Sequence, residues 1–151
     1  TPRPTLGLRH AVLWVSDPTA SAAFYEKALG LEIKNDLGNA VFMSSPGSAT
    51  DHDLGLFRTA DPQPRPPQGL GLYHLAWEVA TLDELRQARA RLTEMGALVG
   101  ESNHHVSRSL YAQDPDGIEF EFHPLTRIST RTDGWGPGGH PQGAKRAARK
   151  S

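Results

Sequence analysis

The chain consists of two related halves, and this internal repeat restricts its fold more than any other feature of the sequence. The segment LRHAVLWV at residues 8–15 matches LYHLAWEV at residues 72–79, and each has a His at its third position. Both segments alternate apolar and polar residues, a pattern typical of a strand with one buried face. His10 and His74 are therefore equivalent positions of the repeat.

A helix is predicted after each of these strands. Ser16-Asp17-Pro18 begins the first helix, which ends at Gly30, and Thr81 begins the second, which ends at Gly96. Both helices start with a residue type that caps helix N-termini, and both stop at a Gly, which favours the left-handed conformation at a helix C-terminus.

Three short strands are predicted after each helix. In the first half they lie near 31–36, 39–45 and 52–58, and in the second half near 97–101, 107–113 and 118–123. Each half is therefore a βαβββ module, and the fold class is α+β. Because one module cannot bury both faces of its sheet, we expect the modules at 8–58 and 71–125 to form a curved mixed sheet, a cup around one site.

Charge divides the chain into an acidic domain and a basic tail. Residues 1–126 are the predicted domain, and segment 59–70, with four prolines, is the linker between its modules. Residues 127–151 hold six Lys or Arg and one Asp in a Gly- and Pro-rich sequence. We favour a solubilising or linker tail over clamping of a partner subunit or contact with nucleic acid.

The composition restricts the possible chemistry. The 151 residues are 37% hydrophobic and 22% charged, as in globular proteins, and include no Cys. A metal site must therefore use His, Asp, Glu or Tyr, and disulfides and cysteine nucleophiles are excluded. No apolar run approaches the roughly 20 residues of a membrane span. The start of the chain also lacks the order of a signal peptide, so we expect a cytoplasmic protein.

One run of the sequence, residues 103–122, carries three groups that mononuclear metal enzymes use: His104, Tyr111 and Glu121. Between the last two lies DPDG at 114–117, a strong turn signal. The run is therefore predicted to be a strand, a tight turn and a second strand, and such a hairpin points Tyr111 and Glu121 into one cup.

The two repeated histidines extend this set of candidate ligands. His10 and His74 on predicted strands, with one carboxylate from the hairpin, make two imidazoles and a carboxylate. That combination with open positions is the arrangement of non-heme Fe(II) oxygenases. Glu119 competes with Glu121 for the carboxylate position, because residues two apart on a strand face the same side.

At these residues the chain resembles the vicinal oxygen chelate superfamily, which includes glyoxalase I, bleomycin-resistance proteins and type I extradiol dioxygenases. The resemblance covers about residues 8–125 and is carried by LRHAVLWVSDPTASAAFYEKALGLE, GLYHLAWEV and LYAQDPDGIEFE. The pattern of His104, Leu110-Tyr111, Asp114-Pro115, Gly117 and Glu121 is similar to the extradiol signature region. Ser102 departs from that signature, which has Gly, Asn, Thr, Ile or Val there.

The resemblance implies roles for six residues, which are the metal ligands His10, His74 and Glu121 and the catalytic groups His52, His104 and Tyr111. The resemblance alone chooses Glu121 over Glu119. His52 and His104 would serve as acid/base groups, with His105 as the alternative to His104. Tyr111 would donate a hydrogen bond to a substrate oxygen.

The first half carries no second carboxylate ligand. Its position matching Glu121 is about Leu56, in the segment DHDLGLF, and a leucine cannot coordinate a metal. Glyoxalase I-type sites use a carboxylate from each half, so a single carboxylate favours an oxygenase. The resemblance then implies Fe(II), or alternatively Mn(II), and extradiol cleavage of a catechol-type substrate by O2.

Two other functions of the same superfamily stay open. One is a metal-dependent isomerase, epimerase or lyase, and the other is a metal-free small-molecule binder like the bleomycin-resistance proteins. Family members often dimerise, so we expect a homo-dimer or a higher homo-oligomer. A nucleic-acid role would rest on the basic tail alone.

Apolar residues at helical spacing predict the core, and these are Phe24, Tyr25, Leu29, Leu85, Leu92 and Met95. For four aromatic residues, alternation along the strands leaves open whether they line the site or the core. These four are Trp14, Trp77, Phe120 and Phe122.

Overall fold

The computed structural model describes residues 2–104 and 107–125, without the side chains of residues 104 and 107. The chain divides into two compact units between Gln63 and Pro64, within the proline-rich segment. We call them the N-terminal module and the C-terminal module and describe each by itself. Of the helices in the described ranges, neither is long and apolar enough to cross a membrane.

The N-terminal module has one helix and a four-stranded mixed sheet. Its elements are β1 (Ala11–Val15), α1 (Pro18–Leu29), β2 (Glu32–Asp36), β3 (Ala40–Ser44) and β4 (Leu54–Arg58). The strand order is β1-β4-β3-β2. The first strand runs parallel to the last, and the other neighbours are antiparallel.

The C-terminal module repeats this topology. Its elements are β5 (His74–Val79), α2 (Leu82–Glu94), β6 (Leu98–His104), β7 (Ser107–Gln113) and β8 (Glu119–Pro124). The strand order β5-β8-β7-β6 again pairs the first strand with the last in parallel. The prediction of an α+β fold with two βαβββ modules is confirmed, whereas the pairing of both sheets around one metal stays a prediction.

The helices begin and end where the sequence indicates. Asp17 accepts hydrogen bonds through Oδ1 from the amides of Thr19 and Ala20, at 3.1 and 3.4 Å, and so satisfies two amides of the first turn of α1. Gly30 ends that helix with φ +70°, a left-handed backbone conformation that is less favourable for residues with a Cβ than for glycine. Thr81 caps α2 by accepting from the Glu84 amide at 3.1 Å.

Each sheet has one face covered by the helix of its module and one open face. In the N-terminal module, Leu13 and Val15 on β1 are buried, whereas Val12 and Trp14 are 49% and 70% exposed. Because neighbouring residues of a strand point to opposite faces, the buried pair lies on the α1 side and the exposed pair on the open side. Leu54 and Leu56 of β4 are fully buried on the α1 side.

The predicted core is confirmed in part. Tyr25, Leu85 and Leu92 are buried, and the other three, Phe24, Leu29 and Met95, are half-buried. The structure also decides which aromatics line the core. Phe120 and Phe122 are buried on the α2 side of β8, Trp77 is half-buried beside Phe122, and Trp14 lies on the open face.

The turn between β7 and β8 is held by its own aspartate. The Asp114 carboxylate accepts hydrogen bonds from the amides of Asp116 and Ile118, both at 2.9 Å, and Gly117 has φ +79°. This turn fixes the register of the hairpin, so that Tyr111 of β7 lies directly opposite Glu121 of β8.

The assignment of faces predicts unequal costs for two truncations in the N-terminal module. Leu56→Ala should lower the free energy of unfolding by about 2–5 kcal/mol, because it leaves a cavity in the fully buried layer under α1. Val12→Ala on the open face should cost about 1 kcal/mol or less. Urea unfolding followed by circular dichroism measures both, and equal losses would contradict the assignment.

Candidate metal-binding site

The candidate site lies on the open face of the C-terminal sheet, where β5 and β8 run side by side. The register pairs His74 with Glu119 and Ala76 with Glu121, so these four side chains share one face. His74 lies between the two carboxylates. Its Nδ1 is 3.3 Å from Oε2 of Glu119, and its Nε2 is 3.2 Å from Oε1 of Glu121.

The two glutamates differ in burial. On their shared face, the Glu119 side chain is 2% exposed, whereas the Glu121 side chain is 13% exposed. Metal-ligating histidines commonly direct their second ring nitrogen to a carboxylate, which fixes the ring and raises its basicity. Glu119, the more buried of the two, lies where such a supporting carboxylate would lie, and Glu121 stays the predicted ligand.

The donor atoms fit a cation. Metal–nitrogen and metal–oxygen bonds of about 2.1 Å at right angles put neighbouring ligand atoms about 3 Å apart. The distance of 3.2 Å between Nε2 of His74 and Oε1 of Glu121 matches that value. A neutral imidazole and a carboxylate suit Fe(II) and Mn(II).

Two donors do not make a complete site. Within the described residues, no group of three or more His, Asp or Glu side chains is arranged to hold a metal ion. The third predicted ligand, His10, belongs to the N-terminal module, and its role stays a prediction.

Tyr111 lies beside His74 and opposite Glu121. It is 8% exposed, and its ring centroid is 6.0 Å from that of His74. Its hydroxyl is 3.3 Å from Oγ of Ser102, and either oxygen can be the donor. Ser102 is the residue that departs from the extradiol signature, and here it contacts the tyrosine hydroxyl directly.

His123 is a residue of this face that the sequence reasoning missed. Its Nδ1 is 3.3 Å from Oε2 of Glu121 and 3.2 Å from Oγ of Ser109. The signal was present in the sequence, because Glu119, Glu121 and His123 alternate along β8 and therefore face the same side.

In the N-terminal module the structure brings two predicted site residues together. The rings of His10 and His52 are 4.5 Å apart, and the ring of Phe42 is 4.9 Å from that of His52. Nδ1 of His52 is 3.3 Å from Oδ2 of Asp51. The Asp51 carboxylate therefore contacts the imidazole on its Nδ1 side.

A cavity of about 320 Å³ opens beside this pair, lined by Lys34, Asn35, Phe42, Asp51 and His52. Aromatic rings continue from it across the open face. Phe42 and Phe57 lie 5.7 Å apart, and Phe57 and Trp14 lie 6.2 Å apart, in edge-to-face contacts. The open face of this module is therefore largely apolar, in contrast to the acidic and imidazole groups of the C-terminal module.

The loop that carries His52 is held by Asp53. Burial of its carboxyl opposes ionisation, but hydrogen bonds from the Ser45 amide and from the hydroxyls of Ser48, Thr50 and Ser45 outweigh it and lower the pKa of Asp53 to about 2. The hydroxyl bonds from Ser48 and Thr50 are 2.8 and 2.9 Å long. These contacts close the loop between β3 and β4 around one ionised group.

The first-half equivalent of Glu121 is Gly55, so the expectation of Leu56 is wrong. Val12 pairs with Gly55 on β4 as Ala76 pairs with Glu121 on β8, and each lies two residues after the repeated His. Leu56 points to the α1 side and is fully buried. Counting along the sequence missed the register by one residue, which reverses the face of a strand.

Gly55 cannot supply a ligand and leaves little space for one. A Cβ at this position would lie 3.3 Å from Cγ2 of Val12 and 3.4 Å from Cε1 of Phe57. The conclusion that the first half lacks a carboxylate ligand therefore holds at the corrected position.

Part of the predicted site lies outside the residues that the structure describes. The backbone of His104 pairs with Ser107 at the end of β6, but the side chain of His104 lies outside the described residues. His105, the alternative to His104, and the basic tail at 127–151 also lie outside them.

The sequence is similar to those of known proteins. Residues 7–122 match the family model for the glyoxalase/bleomycin resistance protein/dioxygenase superfamily. The chain is 45% identical over 53 residues, 35% of its length, to catechol-2,3-dioxygenase of Bacillus subtilis (strain 168). It is 27% identical over 120 residues, 76% of its length, to metapyrocatechase 2 of Cupriavidus necator. These matches span 19% and 35% of the two relatives' own lengths.

Solved structures share the fold. The lactoylglutathione lyase of Agrobacterium tumefaciens matches with a TM-score of 0.63 and 22% identity, over 81% of this chain and 96% of its own. The fosfomycin resistance protein FosX of Listeria monocytogenes matches with a TM-score of 0.64 and 23% identity, over 81% of this chain and 95% of its own. At these identities the likeness is one of fold.

The hydrogen bonds to Asp53 predict a pH-dependent loss of stability. Because the folded pKa lies below the unfolded value of 3.8, the ionised group stabilises the fold above about pH 4, and this contribution disappears as pH falls toward 2. Asp53→Asn should cost about 1 kcal/mol at pH 7, less than the full shift implies because water screens the half-exposed group.

Urea midpoints measured from pH 7 to pH 2 check this expectation. The wild-type and Asp53→Asn curves should converge at the acid end. The matched variant Asp61→Asn, at an exposed aspartate of the linker, should follow the wild type throughout. A constant gap between wild type and Asp53→Asn down to pH 2 would contradict the assigned role of the carboxylate.

The geometry around His74 predicts different effects for its two glutamates. Glu121→Gln should weaken Mn(II) binding by more than about a hundredfold, because it removes a charged ligand. Glu119→Gln should weaken it by about ten- to a hundredfold and leave the stoichiometry unchanged, because it removes only the support of Nδ1. Isothermal titration calorimetry measures both, and the reverse order of effects would make Glu119 the ligand.

Proposed function

The chain belongs to the glyoxalase/bleomycin resistance protein/dioxygenase superfamily, and we propose that within it this protein is an Fe(II)-dependent extradiol dioxygenase acting on catechol-type diols. The observation that carries the proposal is the pair of donor atoms on the C-terminal module. His74 and Glu121 present Nε2 and Oε1 3.2 Å apart, with Tyr111 directly opposite Glu121. Mn(II) is the alternative metal.

The proposed ligands are His74 and Glu121, with His10 as the third. When bound, Fe(II) would hold the two catechol oxygens and dioxygen in one coordination sphere and lower the pKa of the catechol hydroxyls. Three protein ligands leave room for such a chelating substrate. Gly55, at the position equivalent to Glu121, supports this count because it adds no fourth protein ligand.

Tyr111 is proposed to orient the substrate. A tyrosine hydroxyl both donates and accepts, so Tyr111 would donate its hydrogen to a substrate oxygen while its Oη accepts from the Ser102 hydroxyl. The buried position of Tyr111 limits competition from water, so that hydrogen bond is stronger than it would be in solvent.

Proton transfer is assigned to two histidines. Nδ1 of His52 faces the Asp51 carboxylate, so Nε2 is the atom that would take a proton from a catechol hydroxyl and return it during ring cleavage. Phe42, in edge contact with the same imidazole, supplies an apolar surface for an aromatic ring. His104 is the second proposed acid/base group.

The curated relatives support this choice of reaction over others in the superfamily. Both carry names of catechol-cleaving enzymes, although the chain spans only 19% and 35% of their lengths. A metal-dependent isomerase, epimerase or lyase would use the same metal without oxygen, and a drug-resistance binder would need no metal. Oxygen uptake and metal binding therefore separate the three functions. A homo-dimer or higher homo-oligomer stays part of the proposal.

Anaerobic loading with Fe(II), addition of a panel of catechols and admission of air test the proposal. We expect oxygen uptake in proportion to catechol consumed, with a new yellow chromophore from the ring-opened product. His10→Ala, His74→Ala and Glu121→Ala should each lower the rate at least about a hundredfold, because each removes a ligand. Glu78→Gln, on the same face but in neither the ligand nor the catalytic set, should keep the wild-type rate.

The opposite results identify the alternatives. Metal binding at these residues without oxygen uptake would contradict the dioxygenase and leave the isomerase or lyase. Absence of metal binding, with small aromatic molecules still bound, would leave the metal-free binder.

A further inference from the structure

His123 contacts the candidate ligand Glu121 but takes no part in the function proposed above. Its side chain is 45% exposed at the rim of the open face, and its Nδ1 is 3.3 Å from Oε2 of Glu121. That oxygen is the one directed away from His74, since Oε1 is the atom 3.2 Å from Nε2 of His74. The two carboxylate oxygens of Glu121 therefore face two different imidazoles.

The contact of Oε2 with His123 affects how Glu121 can bind a metal. A glutamate binds a metal through one oxygen or through both, and rotation of its carboxylate exchanges the two modes. A hydrogen bond to one oxygen opposes that rotation and leaves the other oxygen as the donor. A nearly buried carboxylate also needs such a partner, because burial without one is costly.

We infer that His123 is a positioning residue, which holds Oε2 of Glu121 so that Oε1 alone is presented beside Nε2 of His74. This inference rests on the metal site of the proposed function but not on the reaction performed there. A single coordinating oxygen keeps one more position of the metal open for substrate than a bidentate carboxylate would.

The chemistry of the groups determines which atom carries the hydrogen. An ionised carboxylate has only acceptors, so a hydrogen bond between Oε2 and the imidazole requires the proton on Nδ1 of His123. Oγ of Ser109 lies 3.2 Å from the same nitrogen and gives it a second polar neighbour. Ser109 is 4% exposed, so the serine lies almost wholly buried beneath the exposed imidazole.

His123 is not itself the missing third ligand. The nitrogen that reaches Glu121 faces the oxygen opposite to the one beside His74, and the described residues hold no group of three His, Asp or Glu side chains that could bind a metal together. Its place two residues beyond Glu121 on β8 follows from strand alternation and brings it to the same face.

Two substitutions separate the hydrogen bond from the shape of the ring. His123→Phe keeps a ring of similar size and removes the donor, whereas His123→Asn places an amide donor near the position of Nδ1. We expect His123→Phe to weaken Mn(II) binding about tenfold, the effect typical of a lost supporting contact, and His123→Asn to stay within about threefold of the wild type. Glu78→Gln, opposite His123 on β5, is the matched control and should bind Mn(II) as the wild type does.

Calorimetric titration of the 151-residue chain with Mn(II) alone measures these affinities, and thermal melts verify that each variant is folded. Equal affinities of His123→Phe and the wild type would overturn the inference. It would also be overturned by His123→Asn binding as weakly as His123→Phe, or by a wild type that binds no Mn(II).

A second measurement needs no metal. Nitrogen-15 NMR of the imidazoles in the metal-free protein reports which nitrogen of His123 carries the proton. We expect the Nδ1–H form, shifted toward the Nε2–H form in Glu121→Gln. An Nε2–H form in the wild type would contradict the proposed hydrogen bond.

Different experimental results would contradict the role of His123 and the dioxygenase activity. A wild type that binds Mn(II) with the expected order of variants, but consumes no oxygen with Fe(II) and catechols, contradicts only the dioxygenase. Oxygen uptake together with an Mn(II) affinity unaffected by His123→Phe contradicts only the role of His123.

Discussion

The parallel pairing of β5 with β8 is the interaction on which the candidate site depends. This register puts His74 beside Glu119 and sets Glu121 one step further along the same face. A shift of β8 by one residue relative to β5 would turn both glutamates toward α2, into the buried layer that now holds Phe120 and Phe122. Burial of those two rings therefore fixes the register, and the apolar layer under the helix determines where the polar groups of the open face meet.

The two modules show how one scaffold supports different surfaces. By register, Gly55 and Phe57 of β4 are equivalent to Glu121 and His123 of β8, and both modules keep the repeated His on their first strand. The helix-facing residues are apolar in both modules because packing against a helix demands it. The open faces carry no such requirement, so one has acidic and imidazole groups and the other a row of aromatic rings.

The C-terminal open face arranges its charged and polar side chains in a chain of contacts. Glu119, His74, Glu121 and His123 follow one another at distances of 3.2–3.3 Å. The imidazole of His74 lies between the carboxylates of Glu119 and Glu121. A cation beside His74 and Glu121 would stabilise the same arrangement further, since it would add positive charge where the acidic side chains converge.

The sequence by itself determined the modules and the types of residue in the site. The repeat of a strand with His at its third position, the capping residues and the Gly stops are local signals, and local hydrogen bonding and periodicity fix what they encode. The sequence could not place Gly55 opposite Val12 or show that Glu119 is more deeply buried than Glu121. Each of these depends on which strand lies beside which, and in what register, and that is decided by long-range packing of the sheets against their helices. Only the tertiary structure therefore shows which oxygen of Glu121 faces His74.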